Sequence, residues 1–473
     1  MKFYTAIIFL TITLLLANCK PPQLGTQKPM HPVPNAYNSR IDSVNSSNLN
    51  WKKYFTNTTL VELLDTAMKN NLDLLVAFQR IEAARAHVKF TKGVLLPYVT
   101  GNISLAQRRY GRYTMDGAGN SSTYITPGQI VPTNLPDHYY GLQSSWEVDI
   151  WGKLRNKKKA AIAHYLASVE GKNWVITNLI AEVATTYYEL LALDIELEII
   201  QETIVLQNNQ LSIIRVEKEA GRANELAVKQ FEGQLYNSQS LEIEILQQIT
   251  ETENKLNFLL GRYPQPIPRD KLTFSQSIPV QVFIGMPSDL LSHRPDIRKA
   301  EYELIASKAN VQAARAAFYP SLNITAGVGL QAFQMQYLLN PQSLAYGVMG
   351  SLAAPLINQS AVKANFRTAK ASQLEALYTY QKTILNGYVE VYNQMTNINN
   401  LERIYTLKNN EVAVLNNSIE TASELYLTGR ATYLEIVVTR KNALQSRLEL
   451  IEIKKRQYNS VINIYRALGG GWE

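Results

Sequence analysis

The sequence predicts a mainly α-helical fold that also carries membrane β-hairpins and is built from two internal repeats. Three observations support this prediction. One stretch of sequence recurs later in the chain, two very long segments keep helical spacing without proline, and four stretches alternate apolar and polar residues. Helices and strands are distinguished by this periodicity, which is about 3.6 residues for a helix and about 2 for a strand.

The N-terminal segment has the pattern of a secretory signal peptide. Lys2 precedes an apolar run from Ala6 to Ala17, which is too short to span a bilayer as a helix. Cys19, the only cysteine of the chain, follows this run and resembles the lipidated residue of bacterial lipoproteins. The sequence therefore predicts a lipoprotein signal peptide over residues 1–18 and a lipidated N-terminal tether over residues 19–58. The alternative is a signal peptide followed by an unmodified cysteine.

The internal repeat defines the domain organisation. Residues 71–97 align with residues 294–320 at an offset of 223, whereas Gly221-Arg222-Ala223 aligns with Gly429-Arg430-Ala431 at an offset of 208. The difference indicates a 15-residue insertion in the first copy, which we place in the Tyr-, Gly- and Asn-rich segment 108–138. The predicted units are a first repeat (59–261), a linker in the equatorial region (262–287) and a second repeat (288–469).

Two strands are predicted in each copy. In the first strand Val99, Ile103 and Leu105 alternate with polar residues such as Thr100 and Asn102. Alternation over about ten residues is typical of membrane β-strands. The alternative is a soluble hairpin packed on helices. The predicted strands cover residues of about 98–109 and 139–150 in the first copy and of about 321–333 and 344–354 in the second.

Four strands are too few for a closed membrane barrel, since the smallest such barrels have about eight. An open sheet edge would leave backbone N–H and C=O groups unpaired in lipid. If the strands lie in a membrane, several chains must therefore contribute them to one shared barrel.

Two long helices are predicted, over residues 153–220 and 361–428. Each contains 68 residues and would extend about 100 Å at 1.5 Å per residue. Their apolar residues recur at spacings of three and four, as in coiled coils. Each long helix ends at a glycine and is followed by another helix, over 225–261 in the first copy and 432–468 in the second. A further helix is predicted over residues 59–93.

Two distinctive motifs occur in the chain. Residues 290–301 read Leu-Leu-Ser-His-Arg-Pro-Asp-Ile-Arg-Lys-Ala-Glu, and residues 146–153 read Trp-Glu-Val-Asp-Ile-Trp-Gly-Lys. Both resemble motifs of the TolC-type outer-membrane efflux proteins, in particular their lipoprotein (NodT-like) branch. The resemblance covers about residues 50–470. It implies a homotrimer with a 12-stranded β-barrel in the bacterial outer membrane and a 12-helix α-barrel in the periplasm.

The same resemblance implies a function, partners and functional residues. The protein would be the passive exit duct of a tripartite efflux system, anchored in outer-membrane lipid and joined to a periplasmic adaptor protein and an inner-membrane pump of the RND type. In this family carboxylates narrow the periplasmic mouth of the channel. Glu435 matches one of these acidic positions, whereas a second one is occupied by Val438 in this chain. The helix tips of the family contact the adaptor, and here they are Gly221, Arg222, Ala223, Gly429, Arg430 and Ala431.

Glu435 also has a local interpretation. Thr432-Tyr433-Leu434-Glu435 is a capping-box pattern, in which the glutamate stabilises the start of its own helix. The two roles are compatible, and the sequence does not choose between them. Glu147 and Asp149, two residues apart on one predicted strand, are expected to line a polar lumen.

The composition favours neither an enzyme nor a nucleic-acid-binding protein. The five histidines have no metal-ligand spacing, and no phosphate-binding or nucleophile motif occurs, so we expect no cofactor, no metal and no catalysis. The net charge of +8 is spread along the chain. The short basic run Lys157–Lys159 falls within a predicted helix and indicates a solvated face rather than nucleic-acid binding. The alternative function is a structural or adhesive coiled-coil surface lipoprotein without channel activity.

Overall fold

The computed structural model of the chain describes residues 34, 36–37, 49–271, 274, 284–354 and 360–472. The predicted signal peptide, Cys19 and most of the tether lie outside the described residues. Within the described ranges, none of the helices combines the length and the apolar composition that crossing a membrane requires.

The described chain is mainly helical and includes a four-stranded sheet, which confirms the predicted fold class. The α-helices are α1 (Trp51–Tyr54), α2 (Thr58–Asn70), α3 (Leu72–Gly93), α4 (Met115–Ser122), α5 (Lys153–Glu219), α6 (Glu225–Leu259), α7 (Leu290–His293), α8 (Pro295–Ala316), α9 (Ser360–Leu427) and α10 (Tyr433–Ala467). The strands are β1 (Tyr98–Arg108), β2 (Tyr124–Thr126), β3 (Gln129–Ile130), β4 (Leu135–Val148), β5 (Ser321–Ala332) and β6 (Leu344–Ala353). Short 3₁₀ helices cover Pro287–Asp289, Met335–Tyr337 and Pro341–Ser343.

The chain divides into two compact units. The first, the strand unit, comprises the described parts of Glu82–Leu166 and Tyr302–Tyr378 and contains all the strands listed above. The second, the helical unit, comprises the described parts of Met30–Ile81, Ala167–Glu301 and Thr379–Glu473. Each repeat therefore contributes to both units.

The sheet of the strand unit has the order β1-β4-β5-β6, with every neighbouring pair antiparallel. β1 pairs with β4 along its whole length, beginning with Tyr98 opposite Ser145. β4 then pairs with β5, where His138 lies opposite Ala332. This central pairing joins the hairpins of the two repeats into one sheet.

The inserted segment of the first repeat lies between its two strands. The connection from β1 to β4 has 26 residues, whereas the connection from β5 to β6 has 11, and the difference equals the predicted 15 residues. The longer connection is not a plain loop, because it contains α4 and the small antiparallel ribbon of β2 and β3.

The second strand differs from the predicted 139–150. β4 begins at Leu135 because Leu135, Pro136 and Asp137 continue the backbone pairing with the end of β1. It ends at Val148, since the chain then turns into α5. The other three strands each end one residue earlier than predicted.

Asp149 caps α5, a role that the sequence analysis did not predict. Its carboxylate oxygens accept hydrogen bonds from the backbone N–H groups of Leu154 and Arg155 at 2.9 and 2.8 Å. Glu147 forms an ion pair with Lys153 at 2.5 Å. A carboxylate at a helix N-terminus satisfies free N–H groups and is favoured by the helix dipole. Both acids therefore stabilise the strand-to-helix junction.

The single helix predicted over residues 59–93 is wrong, because α2 and α3 are separated at Asn71. Asn71 is buried and has an extended backbone (φ −60°, ψ 127°). Its side-chain oxygen accepts a hydrogen bond from the N–H of Leu74 at 3.0 Å, and its amide donates to the carbonyl of Leu259 at 2.9 Å. Apolar periodicity continues through the break, so it does not reveal a single capping residue.

The second repeat is interrupted at the equivalent position, Arg294. Its backbone is also extended (φ −81°, ψ 115°), and its side chain is fully buried. The guanidinium donates to the carbonyl of Ala467, the equivalent of Leu259, at 2.8 Å. It also forms ion pairs with Asp296 at 2.7 Å and with Glu390 at 2.8 Å. These two carboxylates balance a charge that would otherwise be costly to bury.

The main core lies in the helical unit, where apolar residues of α2, α5, α6 and α10 pack together. Stacked aromatic pairs are prominent in it. The rings of Tyr54 and Tyr465 are 4.0 Å apart, and those of Tyr188 and Tyr458 are 4.2 Å apart. Such pairs contribute about 0.5–1.5 kcal/mol beyond the area they bury. The first pair joins α1 to α10, and the second joins the long helix α5 to α10.

Candidate functional site

The four-stranded sheet has two long edges. Within the described residues, β1 pairs with β4 alone and β6 pairs with β5 alone. Apolar side chains on these edge strands are highly exposed, with Ile103 at 76%, Val348 at 78% and Tyr346 at 81%. An exposed, apolar edge strand is a template for pairing with another chain. The sheet can therefore accept a further strand on each side.

The two helix tips have the same backbone geometry. Gly221 and Gly429 have positive φ angles of 75° and 74°, which a glycine adopts without strain. In the first tip the N–H of Arg222 donates to the carbonyl of Glu217 at 2.8 Å, and in the second the N–H of Arg430 donates to the carbonyl of Leu425 at 2.8 Å. Both closures are Schellman-type helix ends. The glycines and arginines of both tips are exposed.

The two tips share one apolar cluster in the helical unit. Leu211 and Ile214 of α5 pack with Val228 and Phe231 of α6. Partly buried side chains of both repeats complete the cluster, and these are Ile204, Ala223, Tyr426, Tyr433 and Val437. The structure therefore brings the helix ends beside the two tips together, and Ala223 is the one predicted tip residue that lies in the cluster.

A hydrogen bond joins the long helices next to this cluster. The hydroxyl of Tyr426 on α9 donates to the Oε2 atom of Glu217 on α5 at 2.7 Å. Burial, together with the hydrogen bond to the Glu217 carboxylate, raises the pKa of Tyr426 to about 12, so the hydroxyl keeps its proton at neutral pH. This contact links the ends of the two repeats.

The two tips differ in the polar contacts that their helices make. In the first tip Arg215 pairs with Glu232 at 2.8 Å, and Lys218 forms an ion pair with Glu225. At the equivalent positions the second tip carries Ser423, Arg440, Tyr426 and Tyr433, which cannot form these pairs. Polar contacts of the second tip run to α5 instead, through Tyr426 to Glu217 and through Arg440 to Gln210 at 3.4 Å. Ion pairs therefore connect the two helices of the first tip, whereas the polar contacts of the second tip run to α5.

Glu435 lies in the first turn of α10, beside the second tip. Its carboxylate accepts hydrogen bonds from the backbone N–H of Thr432 at 2.7 Å and from the hydroxyl of the same residue. Hydrogen bonds, the largest from the Thr432 hydroxyl, hold the pKa of Glu435 below its usual range. The carboxylate is therefore exposed, ionised at neutral pH and engaged in capping α10.

A family model covers both repeats. The model described as outer membrane efflux protein matches residues 63–262 and 286–470. The chain belongs to the outer membrane efflux protein family. The gap between the two matched segments corresponds to the region between the repeats.

Relatives of this outer membrane efflux protein match it over nearly its whole length. Cation efflux system protein CusC of Escherichia coli O6:H1 is 29% identical over 455 residues, which are 94% of this chain and 95% of that protein. Solvent efflux pump outer membrane protein SrpC of Pseudomonas putida is 28% identical over 484 residues, covering 100% and 99% of the two chains. A solved structure of CusC has a TM-score of 0.82 at 25% identity and covers 95% of this chain and 99% of that one.

Membership assigns the chain to the outer-membrane efflux channels, which confirms the transport hypothesis and does not support an adhesive surface lipoprotein. The roles given to the tips and to Glu435 stay predictions. Cys19 lies outside the described residues. No group of three or more His, Cys, Asp and Glu that could hold a metal ion is found where the structure describes the chain.

The sequence did not reveal the link between Tyr426 and Glu217. In the sequence Tyr426 falls on the apolar three-and-four spacing of the second long helix, and Glu217 belongs to no motif. A signal was nevertheless present, because both residues depart from the repeat. The equivalent of Glu217 is Leu425, and the equivalent of Tyr426 is Lys218. Two polar residues at positions where the copies differ therefore indicate a contact between the two repeats.

Proposed function

We propose that this outer membrane efflux protein assembles as a homotrimer whose three sheets join edge to edge in a 12-stranded barrel. The observation that carries the proposal is the open four-stranded sheet, whose two edge strands are long, exposed and apolar. Backbone groups at such edges would be unsatisfied in lipid, and closure by further copies pairs all of them. Three copies of four strands give the twelve that the family resemblance implies.

In this assembly the long helices form a periplasmic α-barrel, and the exposed tips are the contact surface for a periplasmic adaptor. Gly221, Arg222 and Ala223 form the tip of the first repeat, and Gly429, Arg430 and Ala431 form that of the second. An exposed backbone turn with an adjacent arginine offers N–H and guanidinium donors to carbonyl and carboxylate groups of a partner. An inner-membrane pump, of the RND type, delivers the cargo.

The duct is passive and has no catalytic role. The relatives are named for different cargoes, cations for CusC and solvents for SrpC. Proteins of one fold therefore serve chemically unlike substrates, which supports a duct that conducts what its pump selects. The cargo of this chain follows from its pump rather than from its own residues.

The second tip is the moving part of the periplasmic gate. It lacks the ion pairs that connect the helices of the first tip, and its polar contacts run to α5 through Tyr426 and Arg440. Breaking these contacts would free α9 and α10 to move while the first tip stays closed. Three copies of Glu435 around the axis would attract cations to the mouth.

The N-terminus is held in the outer membrane by acyl chains on Cys19. Each buried CH₂ contributes about 0.8 kcal/mol, so several acyl chains form a firm anchor. The names of relatives support this, since one of them, SilC of Salmonella typhimurium, is a probable outer membrane lipoprotein.

The trimer is tested by cysteine cross-linking across the proposed edges. Cys19 is the only native cysteine, so introduced pairs give interpretable products. Ile103→Cys on β1 is combined in turn with a cysteine at each of residues 346–350 on β6, and pairs between the inner strands β4 and β5 serve as controls. We expect covalent trimers for a subset of the edge pairs, intramolecular products for the controls, and conducting pores in planar bilayers. Monomers that form no pores under any of these conditions would exclude the proposal.

A further inference from the structure

Four helical segments adjoin the ends of the strands within the strand unit. α3 leads into β1 and α8 into β5, while α5 follows β4 and α9 follows β6. All four segments therefore meet the sheet at the same end, where Tyr98 pairs with Ser145 and Ser321 pairs with Ala353. Four helix termini therefore adjoin this end of the sheet.

These four segments carry charge of one sign. Residues 86–97, 150–169, 304–320 and 360–374 contain two, five, two and three Lys or Arg residues respectively, and none of them contains Asp or Glu. Most of these cations are exposed, among them Lys157, Lys159, Lys363 and Arg367. We call this set of Lys and Arg residues the cationic collar.

The nearest acids leave most of the collar uncompensated. Glu147 pairs with Lys153 and Asp149 pairs with Arg155. Glu303 is engaged by His164 at 2.9 Å. Among the described residues, ion pairs of the collar are found for Lys153 and Arg155. The exposed side chains of Lys157, Lys159, Lys363 and Arg367 are therefore available to a partner outside the chain.

Helix stability explains the collar only in part. In α3 and α8 the collar lies at the C-terminal end, where the helix dipole favours cations such as Lys92 and Arg315. The N-terminus of a helix favours acidic residues, because the helix dipole is positive there. α5 and α9 have no acid in their first turns, and α5 has Lys153, Arg155 and the run Lys157–Lys159 in its first two turns. In α5 and α9 cations are therefore concentrated where the dipole disfavours them, which points to an external anion.

Aromatic side chains lie between the strands and the collar. The Nε1 of Trp146 donates to the carbonyl of Leu95 at 3.0 Å, and the Nε1 of Trp151 donates to the carbonyl of Pro320 at 2.8 Å. Trp151 also stacks on Tyr319 with the ring centres 4.6 Å apart. Trp and Tyr concentrate at the level of lipid headgroups in membrane proteins. The order of apolar strand surface, aromatic residues and cations is that of a membrane interface.

We infer that the cationic collar binds the phosphate groups of anionic glycerophospholipids in the inner leaflet of the outer membrane. The inference rests on the proposed placement of the strands in that membrane. Each Lys or Arg near an anionic membrane surface increases binding roughly fivefold, and long cationic side chains reach the headgroups while their stems stay on apolar surface. The collar thereby fixes the depth at which the sheet sits in the bilayer.

The test compares the lipids retained by the full-length protein. Wild-type protein is extracted in mild detergent, exposed to an equal mixture of phosphatidylglycerol and phosphatidylcholine, and analysed by native mass spectrometry. The collar variant is K157E/K159E/K363E/R367E. Its matched control, K69E/K382E/R403E/K441E, makes the same charge change at four exposed residues of the helical unit.

We expect wild type and the control to retain phosphatidylglycerol preferentially. In the collar variant the ratio of retained phosphatidylglycerol to phosphatidylcholine should be lower by at least about tenfold. The preference of the wild type should also vanish in 1 M salt, where the screening length falls to about 3 Å. If the glutamate variant does not assemble, the milder K157Q/K159Q/K363Q/R367Q variant and the salt dependence of the wild type decide the question. Equal retention of the two lipids by wild type at low salt would overturn the inference.

A measurement of ion selectivity on the same proteins distinguishes a collar that faces the channel from one that faces lipid. A collar inside the channel would make the glutamate variant more cation-selective in planar bilayers and leave lipid retention unchanged, and this result would also overturn the inference. A protein that inserts and conducts without lipid preference leaves the proposed duct intact. Failure to insert or conduct in any lipid would instead contradict the proposed function.

Discussion

The hydroxyl of Tyr426 donates a hydrogen bond to Oε2 of Glu217 at 2.7 Å, and this contact links the end of α9 to the end of α5. The backbone carbonyl of Glu217 also closes the first tip by accepting the N–H of Arg222. Glu217 thus helps to close the first tip and also links it to the second tip. Tyr426 lies on the tip that lacks ion pairs of its own, so the proposed opening of this tip would break the hydrogen bond to Glu217.

Replacing Tyr426 by Phe should make the closed state less stable. A hydrogen bond to a charged group contributes about 1.5–3 kcal/mol, so its loss shifts a closed-to-open equilibrium by roughly tenfold or more. We expect a higher open probability of single channels in planar bilayers for Y426F. Y433F, which removes a hydroxyl from the same apolar cluster, is the control. Identical gating of Y426F and the wild type would show that the hydrogen bond does not hold the gate.

The two roles of Glu435 can be separated by substitution. Glu435→Gln removes the charge but keeps a side chain that suits a capping box, so α10 should remain intact. If three carboxylates surround the axis, the reversal potential in a salt gradient should show a loss of cation selectivity. Thr432→Ala weakens the cap and retains the charge, so it should lower the melting temperature and leave selectivity unchanged. Unaltered selectivity in E435Q would assign Glu435 to capping alone.

Gly469→Ala should be far more disruptive than Gly429→Ala, although both glycines have positive φ angles (88° and 74°). At Gly429 an added Cβ meets open space, so only the backbone strain of about 1–2 kcal/mol is expected. At Gly469 the Cβ would lie 2.6 Å from the carbonyl oxygen of His293, next to the helix break at Arg294. Overpacking of this kind costs about 1–3 kcal/mol in addition. Thermal unfolding of the two variants measures the difference, and equal melting temperatures would contradict it.

Stability should depend on pH through Glu196. Burial, opposed by Lys455 and reinforced by the neighbouring carboxylates Glu452 and Glu189, raises the pKa of Glu196 to about 7 from its ordinary value of 4.5. Between these two values the folded chain binds a proton that the unfolded chain releases, so stability falls as the pH rises. Because the group is partly solvated, we expect an effect of about 1 kcal/mol.

The measurement compares melting temperatures at pH 5 and pH 8. Glu196→Gln should show a smaller decrease between these values than the wild type, with the remainder coming from His164, whose pKa is raised by its hydrogen bond to Glu303. Glu244→Gln, at an exposed site on α6, should retain the full decrease. A wild-type profile that rises over this range, or an E196Q profile that matches the wild type, would be inconsistent with a raised pKa.

Much of the fold could be predicted from the sequence, because local patterns repeat along it. The alternation of Val99, Ile103 and Leu105 defined a strand, and the glycines Gly221 and Gly429 ended the long helices, since both signals depend on residues close in sequence. The helix break at Asn71 could not be predicted from the sequence. Its cap binds the carbonyl of Leu259, which lies 188 residues away along the chain. The capping role of Asp149 was missed for a related reason, because it depends on where α5 begins.

The sequence by itself determined the class of the protein: two repeats, paired hairpins, long helices and the motifs of an efflux channel. Only the tertiary structure decided how the repeats meet. It placed Tyr426 against Glu217, buried Arg294 between Asp296 and Glu390, and gathered the cations of four separate segments at one end of the sheet. Periodicity reports which face of an element is apolar, whereas hydrogen bonds and ion pairs require two side chains at a defined distance. Distances between remote residues are set by packing alone.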